Sequence, residues 1–187
     1  MKTEELCKSF GEQLVLDKIS VEMPDGEVTV IFGASGRGKT TLLRLLMGLE
    51  TPDAGRICGV PKHIAAVFQE DRLPMDFTPQ VCVKMTAAPG VTGKTICAHL
   101  REVGLADCLD KPVRELSGGM RRRVAIVRAV LARSDALFLD EPFTGLDADT
   151  KHTVIGYIKK YTAGKTLVVV SHSPEDAGLL DAKRLEL

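Results

Sequence analysis

The sequence predicts an α/β fold built on a mostly parallel central sheet. Four short and nearly continuous apolar runs are typical of strands that are covered on both faces. They are VTVIF (28–32), AAVF (65–68), ALFL (136–139) and LVVV (167–170). Helical patterns alternate with these runs, as crossover connections between parallel strands require. Two apolar helical stripes are predicted to cover the sheet: Leu42, Leu45, Leu46 and Leu49, and Met120, Val124, Val127 and Leu131.

Two further segments depart from this alternation. The first part of the chain, with QLVLDKISVEM, alternates like an antiparallel hairpin and predicts a small N-terminal antiparallel β-subdomain. Residues from about 71 to 115 carry prolines, glycines and weak helical patterns, which predict a small helical subdomain inserted into the fold. The length of 187 residues fits one domain, 1–187.

The composition narrows the possible functions. Because 25 Lys and Arg balance 25 Asp and Glu, the chain has no overall basic field that would attract nucleic acid or anionic lipid. The N-terminal residues lack the apolar core of a signal peptide, and no apolar stretch is long enough to cross a bilayer, so a cytosolic location is expected. Five scattered cysteines with no C-x-x-C pair are expected to be reduced packing residues.

Polar groups follow each predicted strand. GASGRGKT follows 28–32, Gln69 follows 65–68, Asp140 and Glu141 follow 136–139, and Ser171 and His172 follow 167–170. Ligands of open α/β sheets bind at the carboxyl ends of the strands. We therefore expect these groups, distant in sequence, to converge on one site.

GASGRGKT, residues 33–40, fits the pattern G-x-x-x-x-G-K-[ST] of the P-loop NTPases. Backbone N–H groups of such a loop surround phosphates, Lys39 would reach the β and γ oxygens, and Thr40 would hold Mg²⁺. Two other Gly-Lys-Thr triplets, at 93–95 and 164–166, lack this context and predict ordinary turns. The predicted phosphate-binding residues are Gly33, Ala34, Ser35, Gly36, Arg37, Gly38, Lys39, Thr40 and Thr41.

The two adjacent carboxylates in LFLDEP are predicted to bind a metal ion and to act as a base. Asp140 is predicted to bind Mg²⁺, and Glu141 to act as the general base that polarises the attacking water. The alternative for Glu141 is a surface residue that caps the next turn. Gln69 could hold Mg²⁺ or the water, or could cap a loop. His172 could be catalytic or a hydrogen-bonded core histidine.

Three other features allow two interpretations each. Phe10 could stack on adenine or belong to the core. In LSGGM, Ser117 could simply cap the following helix, or Ser117, Gly118 and Gly119 could form a second phosphate site at a helix N-terminus. The arginines of that helix are predicted to form a solvated face rather than a nucleic-acid surface. They are Arg121, Arg122, Arg123 and Arg128.

The chain resembles the nucleotide-binding subunit of an ATP-binding cassette (ABC) transporter. The resemblance rests on six motifs that occur in this order: the phosphate loop, Gln69, LSGGM, LFLDEP, GLD and His172. The resemblance implies that two cassettes face head to tail, with each ATP held between the phosphate loop of one and the LSGGM signature of the other. It makes 145–147 the D-loop and His172 the switch histidine. Met120 stands where the family usually has glutamine. The chain is shorter than most members, which implies a trimmed helical subdomain and no C-terminal regulatory domain.

The function expected from this resemblance is ATP hydrolysis, with Mg²⁺, that drives a separate membrane permease. A second cassette and the permease are the expected partners, and the permease would hold the chain at the cytoplasmic face of the cell membrane. VFQEDRLP is similar to the corresponding region of nitrate, sulfonate and taurine importers. One alternative is a cassette ATPase acting on nucleic acid or ribosomes, although such proteins carry two cassettes or a long coiled coil. A P-loop kinase is another, but it would not need LSGGM.

Overall fold

The computed structural model describes residues 1–187, which form eight strands and six helices. The strands are β1 (Lys2–Phe10), β2 (Gln13–Ile19), β3 (Val28–Phe32), β4 (Ala54–Cys58), β5 (Ile64–Val67), β6 (Ala136–Asp140), β7 (Thr166–Val170) and β8 (Lys183–Glu186). The helices are α1 (Lys39–Leu46), α2 (Pro79–Lys84), α3 (Gly93–Glu102), α4 (Gly118–Leu131), α5 (Ala148–Thr162) and α6 (Glu175–Leu179). Single 3₁₀ turns lie at Ala106–Cys108 and Val113–Glu115.

The central sheet has five strands in the order β5-β6-β7-β3-β8, and every pair in it is parallel. Every residue of β6 and β7 is buried, as their apolar runs predict. β8 was not predicted, because only Leu185 of its four residues is buried and the others are charged. An edge strand needs only one covered face and is commonly protected from further pairing by such charges.

Apolar side chains alternate between the two faces of this sheet. Ile31 and Phe138 pack with the buried leucines of α1, whereas Val30 and Leu137 pack with α4 and α5. The first predicted stripe is wrong at its last member: α1 ends at Leu46, and Leu49 lies beyond it with 49% of its surface exposed. The two covered faces account for the near-continuous apolar strands.

A second sheet has three antiparallel strands in the order β2-β1-β4. The sequence predicted its hairpin but not β4. Gly55 of β4 has a φ of 81°, and a Cβ there would lie 2.3 Å from the carbonyl oxygen of Glu5. A strand that needs glycine for close backbone approach carries little strand signal of its own.

The chain between β5 and α4 contains α2, α3 and the two 3₁₀ turns, and no strand. α2 and α3 pack against α4. A buried contact also joins α3 to α5, since His99 Nδ1 lies 2.8 Å from the hydroxyl of Tyr157. None of the helices is both long and apolar enough to span a membrane. All five cysteines are free thiols.

The predicted solvated arginine face of α4 is wrong for three of its four members. Arg122 is only 7% exposed. Arg123 Nη1 donates to the carbonyl oxygen of Val103 at 2.8 Å, and Arg128 Nη1 donates to that of Arg72 at 2.9 Å. A guanidinium offers five donors, and the loops against α4 present carbonyls that no strand or helix pairs. These arginines are therefore structural.

Candidate active site

The loop 33–38 joins β3 to α1 and surrounds the amino group of Lys39. Lys39 is 5% exposed and donates to the carbonyl oxygens of Gly33 and Ala34 at 2.8 and 2.9 Å. Its third partner is Nδ1 of His172 at 3.5 Å, so none of its partners is a carboxylate. A buried ammonium with no direct ion pair is costly, and an anion bound at the loop would relieve that cost.

Gly38 shows why this loop needs glycine. Its φ is 85°, and a Cβ there would lie 2.6 Å from Cδ2 of Leu16 and 3.0 Å from Cγ1 of Val15. The antiparallel sheet thus presses β2 directly against the loop, and only a residue without a side chain can turn there.

Thr40 and Asp140 meet below the loop. Thr40 Oγ1 donates to Asp140 Oδ1 at 3.2 Å, and Asp140 is 3% exposed at the end of β6. Burial raises the pKa of the Asp140 carboxyl, the hydrogen bond from Thr40 opposes this shift, and the Glu141 carboxylate adds to it. A divalent cation would compensate the buried carboxylate.

The residues present fit Mg²⁺ only as part of a nucleotide complex. Hydroxyl, carboxylate and amide oxygens are the ligands that Mg²⁺ prefers, and Thr40, Asp140 and Gln69 offer one of each. No cluster of three or more His, Cys, Asp or Glu side chains could hold a metal ion alone. Phosphate oxygens and water must therefore complete the shell, as is usual for nucleotide-bound Mg²⁺.

Glu141 and His172 face each other at hydrogen-bond distance across the ends of β6 and β7. His172 Nε2 lies 2.6 Å from Glu141 Oε1, and Thr144 Oγ1 donates to Glu141 Oε2 at 3.1 Å. Lys39 can donate to His172 Nδ1 only if the imidazole carries its proton on Nε2, the atom that faces Glu141. His172 is 54% exposed, so it is not a core histidine, whereas Glu141 is only 10% exposed and is not a free surface residue.

The backbone of Glu141 is strained. Its φ is 53°, in the left-handed region that side chains with a Cβ avoid. Its N–H donates to the carbonyl oxygen of Val170 at 3.0 Å, which holds the residue against the end of β7. Such conformations cost roughly 1 to 3 kcal/mol and cluster at functional sites.

One open cleft collects these groups at the carboxyl edge of the sheet. Its lining residues are Val15, Ser35, Gly36, Gly38, Lys39, Thr40, Thr41, Gln69, Glu141 and His172. Asp140 lies beneath it, and Gly33 and Ala34 hold Lys39. Arg37 is exposed on the loop and does not line the cleft. Gln69 is exposed and its side chain caps no loop. Val15 was missed, because an isolated valine in a strand carries no sign of a ligand.

Phe10 lies at the end of β1, 48% exposed, so it is not part of the core. Lys8 Nζ lies 5.3 Å from the centre of its ring. Phe10 does not line the cleft; Val15, in the second strand of the same hairpin, does. The Phe10 ring is therefore accessible to a ligand at the end of the hairpin.

Ser117 caps α4, since its Oγ accepts from the N–H of Met120 at 3.2 Å. With Gly118 and Gly119 it also lines a second open cleft of about 890 Å³, together with 145–147. A Cβ on Gly119 would lie 3.1 Å from the carbonyl oxygen of Gly145, so the two loops are in contact. This signature cleft shares no lining residue with the cleft around Lys39. Within one chain the two predicted phosphate sites therefore lie apart.

Comparison with known proteins identifies relatives of the chain. A family model described as "ABC transporter" matches residues 16–144. The chain is 37% identical over 194 residues to a Nod factor export ATP-binding protein I of Ralstonia nicotianae, covering 95% of the chain and 60% of that protein. It is 40% identical over 190 residues to an aliphatic sulfonates import ATP-binding protein of Pseudomonas fluorescens, covering 97% and 71%. The chain thus spans less than two thirds of the Nod factor relative.

Solved structures give the same result. The dimeric structure of a bacterial ABC transporter cassette superposes with a TM-score of 0.82 at 25% identity, covering 99% of this chain and 94% of that one. The dimeric post-hydrolysis state of an ATP-binding cassette bound to ADP and Pi superposes with 0.82 at 26% identity, covering 95% and 90%. The family model spans well over half of the sequence. The chain is therefore a member of the ABC transporter family.

Proposed function

We propose that this chain binds and hydrolyses ATP with Mg²⁺ as the cassette subunit of a membrane transporter. The observation that carries the proposal is the buried ammonium of Lys39, held by backbone carbonyls rather than by an ion pair, beside the Thr40–Asp140 and Glu141–His172 pairs. A loop cation and a buried carboxylate in one cleft fit phosphates and their metal ion. The relatives are named as ATP-binding proteins of export and of import, which supports the proposal.

Residues in and around the cleft have distinct parts in the proposed reaction. The loop N–H groups and Lys39 bind the phosphates, and Thr40, Asp140 and Gln69 would hold Mg²⁺. When bound, Mg²⁺ neutralises charge on the β- and γ-phosphates. Glu141 accepts the proton of the attacking water, and Phe10 stacks on adenine.

His172 holds Glu141 in place. It donates from Nε2 to Glu141 while Nδ1 accepts from Lys39, so one imidazole links the phosphate-binding cation to the general base. With Glu141 already held by Thr144, the carboxylate keeps one orientation toward the cleft. Positioning of this kind supplies most of the catalysis in phosphoryl transfer.

The signature cleft of one subunit acts on the nucleotide that is bound to a second subunit. Because Ser117, Gly118 and Gly119 lie apart from Lys39 in the same chain, they can reach a phosphate only across a dimer. Their bare backbone at the start of α4 suits an anion, since the helix dipole adds to the N–H groups. The dimeric cassettes among the related structures support this assembly.

The proposed transport partner is a permease that carries the membrane spans and holds this chain at the inner face of the membrane. Four exposed apolar residues in and next to α2 offer it a docking surface: Met75, Phe77, Val81 and Met85. Three of the four arginines of α4 are engaged within the protein, and the net charge is zero, so the proposal assigns no nucleic-acid partner.

The test is purification of the tagged chain from solubilised membranes, followed by identification of a co-purifying membrane protein and assay of Mg-ATP hydrolysis. A double variant, Phe77→Ser with Met85→Ser, should lose the membrane protein and keep ATP binding. Leu49→Ser with Val60→Ser is the matched control, because these apolar residues are also exposed, elsewhere on the surface. Unchanged co-purification of the first variant would contradict the docking surface, and no ATP hydrolysis by any preparation would contradict the function.

A further inference from the structure

Two arginines of α4 bind the backbone of residues 68–72, the segment that carries Gln69. Arg122 Nη1 donates to the carbonyl oxygen of Phe68 at 2.5 Å, and its Nη2 donates to that of Gln69. Arg128 donates from Nη2 to the carbonyl oxygen of Asp71 at 3.1 Å and from Nη1 to that of Arg72 at 2.9 Å. Four of the five carbonyls of the segment therefore accept hydrogen bonds from one helix.

Arg122 is the more buried of the two anchors. Only 8% of its side chain is exposed, and its Nε lies 3.2 Å from Asp71 Oδ1. That contact is a charge pair without hydrogen-bond alignment, since Asp71 Oδ1 has no hydrogen-bond donor. Burial raises the pKa of Asp71, and the charge of Arg122 opposes the shift. A buried guanidinium in such a site is held firmly, because leaving its donors unpaired would be costly.

The segment is also stiff in itself. The guanidinium of Arg72 lies 4.1 Å from the centre of the Phe68 ring, and Arg72 has a φ of 46°. Leu73, which follows, is buried with 8% of its surface exposed. A segment closed by a cation–π contact and anchored by four hydrogen bonds moves as a unit with the helix that holds it.

Arg122 stands between the two clefts of the molecule. Arg122 lines the signature cleft beside Gly118 and Gly119. Its guanidinium binds the backbone carbonyl of Gln69, and Gln69 lines the cleft around Lys39. No other hydrogen bond from α4 reaches a residue of that first cleft. Arg128 holds the far end of the segment, at Asp71 and Arg72, whereas Arg122 is the side chain of α4 that binds Gln69 itself.

We propose that Arg122 is a positioning residue. It couples the signature residues, Ser117 to Gly119, to Gln69 in the cleft around Lys39. The inference rests on the proposed ATP hydrolysis and adds a residue to it. When Ser117 to Gly119 settle on a phosphate of the second subunit, Arg122 carries Gln69 with α4 into the position where it meets the metal ion and water. Without Arg122, ATP still binds, but contact between the signature and a phosphate no longer positions Gln69.

The bidentate fork of arginine is needed for this role. Two adjacent carbonyls, of Phe68 and Gln69, are bound by two nitrogens of one planar group. Lysine keeps the charge and most of the stem, but its single ammonium cannot reproduce the fork. Arg122→Lys should therefore retain the fold and lose only part of the coupling, whereas Arg122→Gln should lose all of it.

The experiment compares wild type, Arg122→Gln and Arg122→Lys, with Arg101→Gln as a control on the exposed surface of α3. ATP affinity is measured by equilibrium titration, and kcat and KM by steady-state hydrolysis. We expect Arg122→Gln to lower kcat about 10- to 100-fold, as a misplaced catalytic group does, with ATP affinity within about twofold of wild type. Arg122→Lys should fall between the two, and Arg101→Gln should match wild type.

Each alternative outcome is distinguishable. Wild-type kcat in Arg122→Gln would overturn the coupling role, and so would a parallel loss of kcat and ATP affinity, which a purely structural residue would cause. If Arg122→Gln does not fold, Arg122→Lys decides: a kcat equal to wild type overturns the inference. A wild-type chain that neither binds nor hydrolyses ATP would refute the proposed function itself, separately from Arg122.

Discussion

His172 Nε2 lies 2.6 Å from Oε1 of Glu141, although the two residues end different strands of the parallel sheet. The same imidazole faces Lys39 through Nδ1 at 3.5 Å. Lys39, His172 and Glu141 thus form one chain of contacts. Substitutions at Lys39, Ser117 and Glu141 should separate nucleotide binding, contact between subunits and the chemical step.

Lys39→Ala should abolish ATP binding under ordinary assay conditions. The substitution removes the only side-chain cation buried in the loop, and a hydrogen bond to a charged group is worth about 1.5 to 3 kcal/mol, so affinity should fall about 10- to 100-fold or more. Equilibrium titration with a labelled ATP analogue measures this. Lys94→Ala is a matched control, because Lys94 lies in another Gly-Lys-Thr triplet, at the exposed start of α3. Normal affinity of the Lys39 variant would refute the phosphate-loop assignment.

Ser117→Arg should leave ATP binding to a single subunit intact and abolish hydrolysis, because the bulky cation blocks only the contact made across the dimer. Normal turnover at high protein concentration would contradict that assembly.

Ser117→Asp separates this role from helix capping. Aspartate caps a helix as well as serine does, so the thermal midpoint should be kept, while its negative charge should repel the phosphate and stop hydrolysis. Ser117→Ala, in contrast, should cost about 1 kcal/mol of stability through the lost cap. Hydrolysis that follows stability across the three variants would mean that Ser117 is only a cap.

Glu141→Gln should slow hydrolysis by about 10² to 10⁴ while ATP remains bound. The amide keeps the hydrogen bond from His172 but cannot accept the proton of water. Because bound ATP joins two subunits, sedimentation with Mg-ATP should show a dimer, whereas wild type returns to monomer after hydrolysis. Glu175→Gln, an exposed change on α6, should behave as wild type. Hydrolysis at the wild-type rate in the Glu141 variant would exclude Glu141 as the base.

Acid should weaken the contact between α3 and α5. Burial lowers the pKa of His99 from its ordinary 6.5, while nearby Glu102 opposes the shift and Lys160 adds to it. The unfolded chain therefore takes up a proton on His99 at a pH where the folded chain does not, and the free energy of unfolding falls as pH drops below about 6.5.

His99→Gln should reduce this loss, because the amide can still accept from Tyr157 but does not titrate. The measurement is the difference in thermal midpoint between about pH 7 and pH 5.5 in wild type, His99→Gln and His152→Gln, an exposed histidine of α5. An equal acid loss in wild type and His99→Gln would show that His99 is not responsible.

The strands that carry the site could be predicted because their signal is local. Residues 28–32 are apolar without interruption since both faces of β3 are covered, and the glycines of the loop that follows are required by its own backbone. The convergence of Lys39, Asp140, Glu141 and His172 also followed from sequence, because parallel strands place their carboxyl ends at one edge. The apolar pattern of the strands and the rule that ligands bind at their carboxyl ends were together sufficient to predict that part of the site.

The remainder depended on partners that are distant along the chain. β8 carries three charged residues and is a strand only because β3 offers it an open edge. Arg122 has the sequence context of a solvated helical residue, yet it is buried because the carbonyls of Phe68 and Gln69, 54 and 53 residues earlier, lack other donors. A backbone carbonyl has no sequence signature. Which arginine it binds is therefore settled only when the tertiary fold brings the helix and the loop together.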